Sequence, residues 1–363
     1  MQTDTLHEKL AEECLEWQIS DSAVKQFRES MHNIVATVNK KFRLDAVGIE
    51  NSDIIRNLDF LMDAHIHLAE MLMAVYQFRI WHDLLDEAIC YAQSIRGREL
   101  YEKYFIKMLK TWMISMYGYI KPPEVNELFL SLDWLLRNVY ELFESETNEA
   151  PISSETSQLL NFLFTNDKSK VEEIINSFYN DKKSEEAVVN QLIMPALVEI
   201  GRLWGENKIT VADEHLATAS LRSLYHVFFK SHYTGIRWNQ RIAVCCVPGE
   251  EHEIGAELLS LYLGNRGWSV NFVGHSTPEG EIIRMLEQNT PFAIILSMSI
   301  TSHLPALSSL VYRLRGKFPS LNILAGGGGF RQAREIIYKL VDAMPSSFEE
   351  CNILLENMVK SHA

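Results

Sequence analysis

The 363-residue sequence predicts an all-α first part, a second helical bundle and then a doubly wound α/β domain on a parallel sheet. Three observations carry that expectation. Up to about residue 146 the apolar positions recur at helical spacing with little Gly or Pro, and after a polar stretch the same period resumes to residue 233. From Ile242 the runs IAVCCV, SVNFVG, FAIILS and NILAGG alternate with helical text. Such alternation needs crossover helices, and crossovers make a sheet parallel. The expected boundaries are 1–150, 155–236 and 239–363.

In the first part, Asp21 and Ser22 are expected to cap a helix whose stripe is Val24, Phe27, Met31, Ile34, Val35 and Val38. So narrow a stripe suits a packing face, with a dimer seam as the alternative. A second helix is expected from near Asp53, with Ile54, Leu58, Leu61, Met62, Leu68, Ala69 and Leu72 on one side. Further helices run from Ile80 to Gln93 and from Glu99 to Met116; Lys121-Pro122-Pro123 breaks the pattern and Glu127 to Phe143 resumes it. His65 sits on the apolar stripe, as a core histidine expects; a tetrapyrrole contact is the other reading, because these helices are rich in Met, Phe, Trp and Tyr. Glu144–Ser157 is polar and acidic and reads as a linker, and Pro195 should kink or restart a helix inside Gln158–Tyr233.

Charge and composition narrow the function. With 34 Lys+Arg against 48 Asp+Glu the net charge is −14, the wrong sign for a phosphate-binding face. The first 150 residues are acidic, with no basic recognition helix, so direct DNA binding is not expected. No apolar run reaches membrane-spanning length, and MQTDTLHEKLAEEC is too polar for a signal peptide, so a cytoplasmic protein is expected. Cys14, Cys90, Cys245, Cys246 and Cys351 lack CxxC spacing, which argues against a disulfide framework and a thiolate zinc site.

The chemistry concentrates after the first strand, in Pro248-Gly249-Glu250-Glu251-His252-Glu253-Ile254-Gly255. Dinucleotide-binding glycines are missing there. Instead His252 stands at the carboxyl end of a strand, where open α/β sheets hold ligands, and Glu250 can orient its imidazole. Forty-one residues lie between Gly255 and Ser297, and 26 between Ser299 and Gly326-Gly327. All of these fall at strand ends that border one crevice. Small side chains there would leave a slot for a large flat group.

This joint spacing resembles the cobalamin-binding domains, of Rossmann-like (flavodoxin-like) fold, over about Gln240 to Met344. The resemblance implies that His252 is the lower axial cobalt ligand and Glu250 its partner. It also implies that Ser297, Ser299, Gly326 and Gly327, with Gly255, line the path of the displaced nucleotide tail. Upstream, Trp204 is followed by nine residues and then Glu214-His215. That resembles the helical cap of the CarH-type adenosylcobalamin photoreceptors, in which the Trp covers the adenosyl face and the Glu binds the sugar hydroxyls. Where those photoreceptors carry a His after the Trp, this chain has Gly205, so the vacated site goes to His215 or water, or the switch is reversible with another end state.

The resemblance implies a non-enzymatic adenosylcobalamin photoreceptor in which loss of the adenosyl group lets the cap shift against the sheet domain. Output would run through a homo-oligomer, a dimer first of all, or an unidentified protein partner. The related photocobilins add a bilin such as biliverdin in a neighbouring domain, though no residue pattern matches one here. A corrinoid methyl carrier of a methyltransferase system is the alternative, and a haem or bilin sensor on the same scaffold ranks last.

Overall fold

A computed structural model describes residues 2–47, 57–97, 101–145, 151–330 and 333–361. The chain divides into two compact units. One is Met1–Glu149 with Gly205–Lys208; the other is Ala150–Trp204 with Ile209–Ala363. The bundle and the sheet expected as separate domains thus fall in one unit.

The first unit is helical: α1 (Gln2–Glu13), α2 (Asp21–Val47), α3 (Leu58–Phe78), α4 (Trp81–Gly97), α5 (Glu102–Tyr117), α6 (Glu124–Arg137) and α7 (Val139–Glu144). The cap of α2 is Ser20, not Asp21 or Ser22: its hydroxyl accepts from the Ala23 N–H at 3.2 Å, leaving the other two inside the first turn. Val24, Phe27, Ile34 and Val38 are buried within this unit, against α3, α5 and α6. The stripe is therefore a packing face rather than a dimer seam. The expected start of α3 at Asp53, and Ile54 with it, lie outside the described residues. His65 is fully buried: its Nδ1 pairs with Asn39 Oδ1 at 2.7 Å, and Tyr104 Oη lies 3.3 Å from its Nε2. Desolvation lowers its pKa to about 4, so the ring is neutral. That is a core histidine with both nitrogens engaged, and the tetrapyrrole reading finds no support at this residue.

The second unit begins earlier than expected. Ser153 caps α8 (Ser154–Phe164), accepting from the Thr156 N–H at 3.0 Å, so the last residues of the expected linker are already helix. Then come α9 (Lys168–Lys182), α10 (Glu185–Val188), a π turn over Val189–Ile193, α11 (Met194–Gly205) and α12 (Val211–Ser231). The expected restart is present: after the π turn over Val189–Ile193 the α-helix begins again at Met194, with Pro195 in its first turn. Proline has no N–H and its ring crowds the carbonyl four residues back, which is Gln191. The wider turn relieves that crowding, and Thr156 Oγ1 donates to the Gln191 carbonyl at 3.4 Å.

The parallel sheet follows: β1 (Arg241–Cys246), α13 (Ile254–Asn265), β2 (Ser269–Val273), α14 (Glu279–Gln288), β3 (Ala293–Ser297), α15 (Leu304–Lys317), β4 (Asn322–Gly326), α16 (Arg334–Tyr338) and α17 (Phe348–Ser361). The spatial order is β2-β1-β3-β4, with Ile242 opposite both Val270 and Ala293, and Ser297 opposite Gly326. Beyond β4 a single parallel bridge joins Leu324 to Ala343. Ile242, Val244, Cys246, Ala293, Ile295 and Leu324 share one apolar cluster with α13 and with Leu192, Ile193, Leu221 and Tyr225 of the bundle. Ala243, Cys245, Ile294, Leu296, Ile323 and Ala325 point to the opposite face and are equally buried. The helical bundle and the sheet therefore have a common core.

Candidate functional site

Strand order reverses between β1 and β3, and the loops leaving those two strands build the site. The Val247 N–H extends the β1–β3 pairing by donating to the Ser297 carbonyl at 3.0 Å. The chain then turns through Gly249, at a left-handed φ of 88°. That turn drives Glu250 inward, where it is completely buried. Its Oε1 accepts from the His252 N–H at 2.9 Å and lies 2.6 Å from His252 Nδ1. Its Oε2 accepts from the N–H groups of Ser299 at 2.7 Å and Ile300 at 3.3 Å, and faces His303 Nδ1 at 3.3 Å. Burial alone would raise the Glu250 pKa. The bonds from His252, His303 and Ser299 outweigh it and hold the carboxyl well below the usual range.

The geometry fixes a tautomer. A carboxylate at Nδ1 keeps the proton there, leaving the lone pair on Nε2, and it makes that nitrogen a better donor to a metal. The His252 side chain is 62% exposed although its partner has no exposure at all. A single axial imidazole suits a metal whose equatorial ligands come with a macrocycle. His303 is the site residue that sequence reasoning missed. Its signal was present but weak: a His in TSHLP, six residues after Ser297, at the start of a helix.

The expected tail-lining residues divide. Ser299 works through its backbone N–H on Glu250 rather than through its hydroxyl. Ser297 is paired into the sheet with Gly326, beside which an added Cβ would find nothing nearer than the Pro345 carbonyl at 3.9 Å. Gly327 is different. With φ at 129°, a Cβ there would stand 2.2 Å from the Met298 carbonyl oxygen. Gly327 is thus required by the close approach of two backbones, not by an open slot. At Gly255 an added Cβ would meet nothing within 4 Å, so the start of α13 presents a bare face beside the His252 loop.

On the helical side, Trp204 lies near the end of α11 and is 39% exposed, unusual for so large an apolar surface. A capping box starts α12: Thr210 Oγ1 accepts from the Asp213 N–H at 3.2 Å, and Asp213 Oδ2 from the Thr210 N–H at 2.9 Å. This sets Glu214 in the first turn, where Thr218 Oγ1 donates to its Oε1 at 2.9 Å and His215 Nδ1 bonds its Oε2. His215 is itself largely exposed. Val198, Val211 and Leu216 add exposed apolar surface to these two helices.

Burial pushes the thiols of Cys245, Cys246 and Cys351 up to about 12, so none of these three is a thiolate at neutral pH. Among the described residues no helix is long and apolar enough to cross a membrane.

Comparison with known proteins agrees with the site. Residues 156–226 and 240–344 each match a family model described as a B12 binding domain. The chain is 25% identical over 152 residues to the HTH-type transcriptional repressor CarH of Myxococcus xanthus, covering 42% of this chain and 50% of CarH. It is 28% identical over 178 residues to the repressor CarA of the same organism, covering 48% of this chain and 59% of CarA. The chain thus spans about half the length of the curated relatives it matches. Among solved structures, the monomethylamine corrinoid protein of Methanosarcina barkeri aligns with a TM-score of 0.46 at 13% identity, over 55% of this chain and 96% of that one. The second compact unit therefore contains two segments similar to B12 binding domains, one helical and one built on the sheet, and cobalamin is the cofactor that these matches support.

Proposed function

We propose that the chain is an adenosylcobalamin light sensor rather than an enzyme. The observation that carries this reading is an exposed indole, Trp204, with the Glu214 carboxylate one turn-connection further on, in the same compact unit as a Glu250-pinned His252. The residues suit the cofactor. His252 offers a lower nitrogen of defined tautomer, and Gly255 leaves room beside it. Trp204 can cover an apolar face, and Glu214 can accept bonds from sugar hydroxyls. Adenosylcobalamin, when bound, supplies a cobalt–carbon bond that visible light breaks.

The chain's own part is to hold and to register. Glu250 keeps the His252 proton on Nδ1 and Nε2 available to cobalt. Trp204 excludes water from the upper face, and Glu214 distinguishes an adenosyl group from a smaller ligand. Contacts that Trp204 and Glu214 would make only with an adenosyl group present would supply the energy difference that drives a conformational change. A wholesale swing of the helical part would tear a core shared with the sheet. The response is better sought locally, at the end of α11 and the start of α12, which bear Trp204 and Glu214. With Gly205 after Trp204, the site vacated in the light would go to His215 or water, or the switch would be reversible with another end state. Output through a changed dimer or partner contact belongs to the same proposal.

The test is the absorbance spectrum of protein loaded with adenosylcobalamin, in darkness and after green light. The expected result is a light-driven spectral change and a changed elution volume on gel filtration. An unchanged spectrum under strong illumination rejects the sensor. Selective binding of methylcobalamin, with methyl loss to an added methyltransferase, would replace it with a methyl carrier.

A further inference from the structure

Arg222 lies two turns along α12 from Glu214, and its guanidinium forks between two carboxylates of the sheet domain. Nη1 bonds Glu253 Oε1 at 2.8 Å, while Nη2 and Nε bond Glu257 Oε1 at 2.9 and 3.2 Å. Glu253 directly follows His252 and closes the ligand loop at the start of α13. Its second oxygen accepts from the His275 N–H at 3.1 Å, tying the same loop to the exit of β2. Glu257, one turn into α13, is nearly buried, and it also accepts from Tyr225 Oη and lies 2.9 Å from His226 Nε2. Three side chains from about one turn of α12, Arg222, Tyr225 and His226, thus converge on the first turn of the helix that the His252 loop enters. At its other end the loop is held by Glu250 on the backbone of Ser299 and Ile300.

We propose that Arg222 is a positioning residue that clamps α12, the helix bearing Glu214, to the His252 loop, so that occupancy of the upper face and ligation at the lower face are coupled. The inference rests on the cobalamin reading. A planar guanidinium can hold two carboxylates at fixed angles, whereas a lysine ammonium supplies charge without the fork. The Glu257 pairing fixes Arg222 to α13, and the Glu253 pairing passes that position to the residue beside the ligand. A merely structural ion pair would leave the loop indifferent to its loss.

The test uses the full chain with R222M, R222K and E253Q. E253Q preserves an acceptor for the His275 N–H and leaves the Glu257 cluster intact, so it separates loop coupling from folding. In protein without cofactor, amide exchange of residues 250–254 should accelerate about tenfold in R222M and E253Q, the scale of one charge-assisted bond. R222K should fall between them and the wild type. With adenosylcobalamin bound, the ratio of His252-off to His252-on spectra should rise about tenfold in the same two variants. E253Q that folds normally and matches the wild type in both measurements overturns the clamp. If the wild type itself binds no adenosylcobalamin, the cofactor reading fails, and the exchange measurement still decides whether Arg222 holds the loop.

Discussion

Two histidines divide the molecule's two units. His65, in the helical unit, is sealed between Asn39 and Tyr104, with the Phe42 ring 4.8 Å away. Its partners are neutral and burial drives it to remain uncharged. His252, in the sheet-bearing unit, reverses both features: its ring reaches solvent while its partner is a buried carboxylate. A neutral cage makes a histidine a piece of core. A buried anion behind an exposed ring fixes its orientation and makes its outer nitrogen a better donor. Exposure of the ring and charge of its partner, taken together, separate the two roles.

His252→Ala should have the largest effect and a selective one. Cobalamin loses its protein nitrogen, the spectrum moves to the ligand-off form and affinity falls by more than about 100-fold. Melting of the protein without cofactor should fall modestly, because the exposed ring buries little surface but its Nδ1 bonds the buried Glu250 carboxylate. Gly327→Ala should destabilise the sheet-bearing unit by more than about 3 kcal/mol, since a left-handed backbone and the Met298 carbonyl both oppose a Cβ. Chemical denaturation would measure it, and an unperturbed midpoint would mean that the β3 and β4 exits separate easily.

His65→Ala is the mirror of the first substitution. It should cost about 2–4 kcal/mol through a cavity and two orphaned partners, while cobalamin spectra stay those of the wild type. A spectral change would revive a chromophore role for the helical unit. The same residue sets a pH window. Its folded pKa, about 4, lies below the unfolded value near 6.5, so its contribution is present above 6.5 and is lost as pH falls towards 4. That loss amounts to about 3 kcal/mol. The Glu250 carboxyl is also depressed, but from a carboxylate's ordinary value. Its contribution holds above about 4.3 and fades only below that. Acidification should therefore loosen the helical unit before the site, and exchange protection around His65 and around Glu250 followed from pH 7 to 4 would read the order.

Glu250→Gln keeps the shape but removes the charge, and should weaken cobalamin binding by about 10–100-fold, less than loss of His252 itself. Thr156→Val should be the mildest, below about 1 kcal/mol, because the bond to the Gln191 carbonyl is long.

The fold and the Glu250–His252 pair were legible because their signals are local. The four β-rich runs mapped onto four strands, and Glu250-x-His252 lies within one loop, so two residues on either side suffice to recognise it. The acceptors and donors around that pair were not legible. Ser299 bonds Glu250 from 49 residues away and His303 from 53, and Arg222 reaches Glu257 across 35. Nor did the text distinguish Gly326, with space beside it, from Gly327, with a carbonyl against it.

By itself, then, the amino-acid order determined which segments coil and which extend, and which imidazole stands at a strand end, since both follow from periodicity and near-neighbour chemistry. Tertiary structure alone decided that a π turn precedes Pro195, that His65 is sealed, and that a buried carboxylate gathers two histidines and three backbone N–H groups. Those outcomes depend on which distant groups the packed core brings within about 3 Å of one another, the range over which hydrogen bonds act. No local pattern encodes that distance.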